Sequence, residues 1–192
     1  MEIETFCPTS QHDWRQWLTE NHYLKQSVWL VYYKKKTNTL SITWSEAVNE
    51  ALCFGWVDSR RKPIDDQSFM QFFSRRKPYS TWSKINKEKV HQLINNGLMT
   101  QAGYNSIEIA KQNGFWTMID QVEELIIPSD MEEALALQTD SMDYFLSLSK
   151  SVRKSILQWI LFAKRPETRK KRISQIANLC SQRIKPALFR IF

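Results

Sequence analysis

Apolar residues recur along this chain at two spacings, one helical and one extended. In "TWSEAVNEALCFGW" Trp44, Ala47, Val48, Ala51 and Leu52 fall at i, i+3, i+4, i+7 and i+8, so they share one helix face. Thr43 is placed to cap that helix and Gly55 to end it. "DWRQWLTENH" predicts a short amphipathic helix upstream, and "SVWLVYYKKK" from Ser27 is β-branched and aromatic enough for a buried strand. "WVDSRRKPID" and "QSFMQFFSRR" read as two short strands joined through Pro63 to Asp66. From Trp82 the pattern turns helical. Lys84 to Asn96 closes at Gly97, Thr100 caps the next helix, and that one closes at Gly114, which together make an αα-hairpin.

The last third carries no strand signal. Ser129 and Glu132 stand in capping-box spacing, and a shorter helix starts near Asp140. Val152, Ile156, Trp159, Ile160 and Ala163 follow i, i+4, i+7, i+8 and i+11. Pro166 suits the first position of a final helix whose buried face is Ile173, Ile176, Ala177 and Cys180. The expected class is α+β: a small N-terminal α/β unit with a short sheet, then the helical hairpin, then an all-helical part. The two domains are expected at residues 1–124 and 125–192, with a soft boundary at 120–128 and no internal repeat.

Composition agrees with a folded chain. Of 192 residues 42% are hydrophobic and only four are Gly, so a core is available without disulfides or metals. Cys7, Cys53 and Cys180 are far apart and in no CxxC pair, which argues for buried or idle thiols. The start, "MEIETFCPTSQHDW", has neither the basic residues nor the apolar run of a signal peptide, and no stretch nears the roughly 18 apolar residues of a membrane span. A soluble, cytoplasmic protein is expected. The net charge of +7 divides unevenly: residues 1–96 carry +4, 97–149 carry −8 and 150–192 carry +11. An acidic middle can neutralise a basic tail, so the total alone is poor evidence for nucleic-acid binding.

Candidate chemistry concentrates in "FSRRKPYSTWSKINK", Phe73 to Lys87. Arg75 and Arg76 offer planar bidentate donors, Trp82 a stacking face, and Ser80, Thr81 and Ser83 hydroxyls beside a helix N-terminus that favours negative charge. No glycine-rich phosphate loop accompanies them. The plainer reading is that Ser80 or Thr81 caps the helix while the arginines are solvated or paired. Upstream, Glu46 and Glu50 share a helix face, and Asp58, Arg60 and Arg61 lie on one strand. Such a set is more often a structural ion pair than acid/base machinery. His12, His22 and His91 have no metal-binding or triad spacing.

Three stretches carry a family likeness: "WSEAVNEALCFGWVDSRRKPID", "FFSRRKPYSTWSKINKEKVHQLINNGLMTQAGYNSIEIAKQNGFW" and "FLSLSKSVRKSILQWILFAKRPETRKKRISQIANLC". In this order they resemble the bacteriocin-protection, YdeI/OmpD-associated family of bacteria, from about Trp44 to Cys180. Ser59 stands where members often have Gly, and Leu98 replaces a more usual polar residue. The resemblance implies an α+β N-terminal part and a helical C-terminal bacteriocin-protection domain. The family name implies protection against bacteriocins or association with an outer-membrane porin, and no catalytic residues come with it. Without an export signal, protection from within the cytoplasm, as a stress response or by regulation, is the expectation.

The favoured expectation is a binding or stress-protection protein, with no cofactor or metal. Its site is a groove of Trp56, Asp58, Arg60, Arg75, Arg76, Trp82, Ser83 and Asn86, and its ligand a small anion or an acidic protein segment. One alternative is nucleic-acid binding through Arg165, Arg169 and Arg172 on one helix face. The other is an enzyme using Glu46 or Asp58 as general base.

Overall fold

Four strands form a single sheet in the order β1-β2-β4-β3: β1 (Thr5–Phe6), β2 (Ser27–Tyr33), β3 (Trp56–Pro63) and β4 (Ser68–Arg75). The computed structural model describes residues 4–186. β2 and β3 both run antiparallel to β4, and β1 pairs parallel with β2. Residues of β2 and β4 directly opposite one another share a face, so Val28 with Phe73, Leu30 with Gln71 and Tyr32 with Phe69 all look the same way. Trp56 and Asp58 of β3 join them.

Helices cover that face. α1 (Gln11–Asn21) is capped by Ser10 and supplies Trp14, Trp17 and Leu18 to the core. α2 (Trp44–Cys53) opens with a full capping box between Thr43 and Glu46 and buries Ala47, Val48, Ala51 and Leu52. Trp44, expected on the buried stripe, is 47% exposed, because it occupies the first helical turn where the stripe runs past the edge of the core. Its indole Nε1–H instead donates to Asp58 (3.0 Å). Glu50 on α2 is 2% exposed and is held by Arg15 (2.6 Å) and Gln11 (2.5 Å), a buried carboxylate with its counter-charge in place.

The helical hairpin consists of α3 (Lys84–Asn95) and α4 (Gln101–Gln112). α3 is capped by Ser83, whose hydroxyl accepts from the Asn86 N–H, rather than by Ser80 or Thr81. The helix begins at Lys84 as its pattern predicts, and the cap falls on Ser83 because Trp82 is fully buried and the chain stays extended through Ser83. Thr100 caps α4 and also donates its hydroxyl to the Cys53 carbonyl (2.6 Å). That carbonyl ends α2, so the two helices meet closely. A Cβ on Gly103 would lie 2.3 Å from Cys53 O, which is why no side chain fits there.

Met118 ends this first unit and Ile119 begins a second. The second is all helical: α5 (Asp120–Glu123), α6 (Ser129–Ala136), α7 (Ser141–Ser147), α8 (Lys150–Leu161) and α9 (Pro166–Ser181). Its own core gathers Ile119, Val122, Met131, Leu135, Phe145, Ile156, Leu157, Ile160, Ile173, Ile176, Ala177 and Cys180. α5 thus contributes to the second core, and residue 125, where the expected second domain starts, lies inside this unit. Pro128 occupies the cap position of α6, so the Ser129–Glu132 capping box does not form. The chain is α+β.

Candidate functional site

A pocket of about 170 Å³ opens in the first unit where five segments end or begin. His22 and Tyr23 follow α1, Phe54 and Gly55 follow α2, and Trp56 starts β3. Arg75, Arg76, Lys77 and Pro78 come from the end of β4 and the turn beyond it, and Ala102, Asn105, Ser106 and Ile109 from α4. Gly55 makes the convergence possible. Its φ is +71°, and a Cβ there would meet the Ala102 carbonyl at 2.9 Å. Three Arg or Lys residues line the pocket and no Asp or Glu does.

The three cations are not equivalent. Arg75 gives its Nε–H to the Lys25 carbonyl (2.9 Å) and Nη2–H to the Tyr23 carbonyl, so it pins the segment after α1 against the sheet. Arg76 is more unusual. Its Nη1–H donates to the Thr81 carbonyl (2.8 Å) and its guanidinium lies 3.7 Å from the centre of the Trp82 ring. Its Nε and Nη2 are shut off from solvent and have no hydrogen-bond partner. Burial pulls its pKa down to about 10, against the pull of Asp58. Among the described residues no carboxylate forms an ion pair with it. Lys77 is exposed. Trp56 is fully buried, and its indole N–H likewise lacks an acceptor.

Asp58 sits at a neighbouring position. Its Oδ2 accepts from Trp44 Nε1 (3.0 Å) and Gln71 Nε2 (3.2 Å). Lys89 lies within its field and donates to Ser45 Oγ (3.0 Å) and Asn49 Oδ1 (2.6 Å). The Tyr32 hydroxyl is buried without a partner, and burial together with the Asp58 charge pushes its pKa up.

The sequence-derived groove is therefore divided. Trp56, Arg75 and Arg76 line the pocket. Trp82 stacks behind Arg76, while Ser83 caps α3 and Asn86 receives that cap through its backbone N–H. Arg60 departs furthest: it lies over Phe72 (4.9 Å) and Trp29 (5.4 Å) on the opposite face of the sheet. A register shift between Asp58 and Arg61 inserts an extra residue in β3 and turns Arg60 away from Asp58. Arg61 in turn lies over Phe69 (3.6 Å). His22, Tyr23 and the α4 residues carried no local signal; they reach the pocket only through tertiary packing.

Glu46 is consumed in the capping box, where the Thr43 N–H and hydroxyl hold its carboxyl below the usual range. In the second unit Asp130 receives two bonds from Arg169 (2.6 and 2.8 Å), and Glu123 pairs with Lys154 (2.5 Å) and Asp140 with Arg183 (3.5 Å). Arg172 donates to the Trp159 carbonyl and stacks on that ring at 4.7 Å. The acidic middle thus meets the basic tail within this unit, and of Arg165, Arg169 and Arg172 two are tied to protein partners. Among the described residues no His, Cys, Asp and Glu cluster is placed to hold a metal, and no helix is long and apolar enough to cross a membrane.

Fold and site define an α+β unit with a cationic pocket, followed by a separate helical unit, and a family model answers to each. Residues 6–106, just over half of the chain, match the family described as Domain of unknown function (DUF8412), and the chain belongs to that family. Residues 124–183 match the family Bacteriocin-protection, YdeI or OmpD-Associated, in the region of the third sequence stretch. The match to that second family is confined to the helical unit, whereas the "LCFGWVD" segment and most of the hairpin fall in the first. Neither a curated protein nor a solved structure gave a significant match.

Proposed function

We propose that this protein binds a small anion, or an acidic protein segment through its carboxylate, at the pocket bounded by Arg75, Arg76 and Lys77, and that this binding serves a protective role of the kind the family name suggests. The observation that carries the reading is Arg76. A guanidinium largely withdrawn from water, with two nitrogens unpaired and no carboxylate in an ion pair with it, is costly unless something else supplies the negative charge. A pocket that it lines and that contains no acidic residue is where such a ligand fits. Trp56, also in the lining, leaves another buried donor unpaired, and an anion is the ligand class that an uncompensated positive charge selects.

The test is a thermal-shift titration of the full chain with phosphate, sulfate, acetate and an acidic peptide, repeated on Arg76→Met. Ligand that binds only the native state raises the midpoint by mass action. The expected result is a rise with at least one anion that disappears in the variant. No rise with any of them, or an equal rise in Arg76→Met, refutes the proposal.

A further inference from the structure

We infer that the ligand of this pocket is an amphipathic monoacid, a compact aromatic or branched apolar body bearing one carboxylate, rather than a naked inorganic anion or a polyanion. The inference rests on the anion-binding reading and adds what the rest of the lining says. Apart from the cations the exposed lining is mostly apolar, although α4 adds Asn105 and Ser106 to it. Phe54 lies against His22 with ring centres 5.1 Å apart, and Ala102 and Ile109 of α4 are the other aliphatic members of the lining. Ile109 is 43% exposed, so a large aliphatic side chain faces solvent at the pocket rim. Ligand sites that read one charged group on an otherwise hydrophobic body are built this way, with few polar groups set in a mainly apolar wall.

Charge supply points the same way. Arg75 spends its Nε and Nη2 donors on the carbonyls of Lys25 and Tyr23, and these hold the pocket wall rather than a ligand. What remains to attract a ligand is the Arg76 charge, which no carboxylate pairs, and the exposed Lys77 ammonium, a supply that suits one carboxylate better than a chain of phosphates. Size is consistent. At about 30 Å³ per water the 170 Å³ space corresponds to roughly six waters, so a single inorganic anion would leave most of the apolar lining wet.

Phenylacetate is the probe, compared with its neutral amide, with acetate and with inorganic phosphate, by calorimetric titration of the full chain. Phenylacetate is expected to bind at least tenfold more tightly than each of the other three. Ile109→Gln, at a half-exposed position that leaves the core untouched and the charge unchanged, is expected to weaken phenylacetate at least tenfold without lowering the ligand-free melting midpoint. Acetate or phosphate binding as well as phenylacetate would overturn this inference and leave the anion-binding reading standing. Equal binding of the neutral amide, or no binding by any of the four, would overturn both. Unchanged phenylacetate affinity in Ile109→Gln would place the probe elsewhere and overturn the inference.

Discussion

Replacing Arg76 by Met separates a residue kept for a ligand from one kept for the fold. Met matches the aliphatic stem and adapts to irregular space, so the change mainly removes charge and donors. The two unpaired buried nitrogens, Nε and Nη2, cost about 1–3 kcal/mol each, or about 2–6 together. Against this stand a stacking contact with Trp82 at 3.7 Å, worth about 2 kcal/mol when desolvated. The charged hydrogen bond to Thr81 O adds about 1.5–3 kcal/mol. The opposing sums overlap, and the ligand-free stability of Arg76→Met should therefore lie within about 2 kcal/mol of the parent. A charge fully integrated into the fold would cost about 3–5 kcal/mol on removal of its partner, the situation at Glu50 and Arg15. Urea unfolding gives the answer directly, provided the m-value is unchanged. A loss of more than about 3 kcal/mol would show that Arg76 is a structural residue and would remove the physical basis for a missing anion.

Two further outcomes follow from the geometry. Gly103→Ala places a Cβ 2.3 Å from the Cys53 carbonyl and should cost about 1–3 kcal/mol by forcing α4 away from α2; an unchanged urea midpoint would contradict the close approach. Arg169 holds the Asp130 carboxyl below its ordinary range, so the pair's contribution is complete above the unfolded carboxyl pKa of about 3.9 and is lost as pH falls through the lower folded value. Asp130→Asn should accordingly lower the thermal midpoint at pH 7 yet make it fall less between pH 5 and pH 2. An identical acid slope in the variant would rule out Asp130 as a source of acid lability.

Elements with a long, regular stripe were legible in the sequence. The buried face of α9, Ile173, Ile176, Ala177 and Cys180, is the predicted one, and Thr43 caps α2 as its spacing implies. β1 and α5 were missed because two and four residues are too short to display any period. The site was legible only in part. Arg76 stood out as a basic residue ahead of a helix, but its lack of a partner is a property of packing. Arg60 was expected beside Asp58, since alternation along β3 predicts a shared face. A bulge reverses that alternation and leaves no signature in residue type. Part of the pocket lining comes from α4, some thirty residues beyond Arg76, where Ile109 reads as one more hydrophobic helix position.

β3 is the outermost strand of the sheet beside β4, and its outer side presents backbone groups with no further strand among the described residues. Such a margin is a template on which another chain can add and fibrils can grow. Here the strand is interrupted by an extra residue and then carries Arg60, Arg61 and Lys62 in succession. An incoming strand would meet a broken hydrogen-bond ladder and a row of like charges. The irregularity that displaces Arg60 from the site thus also makes this border a poor template for a further strand.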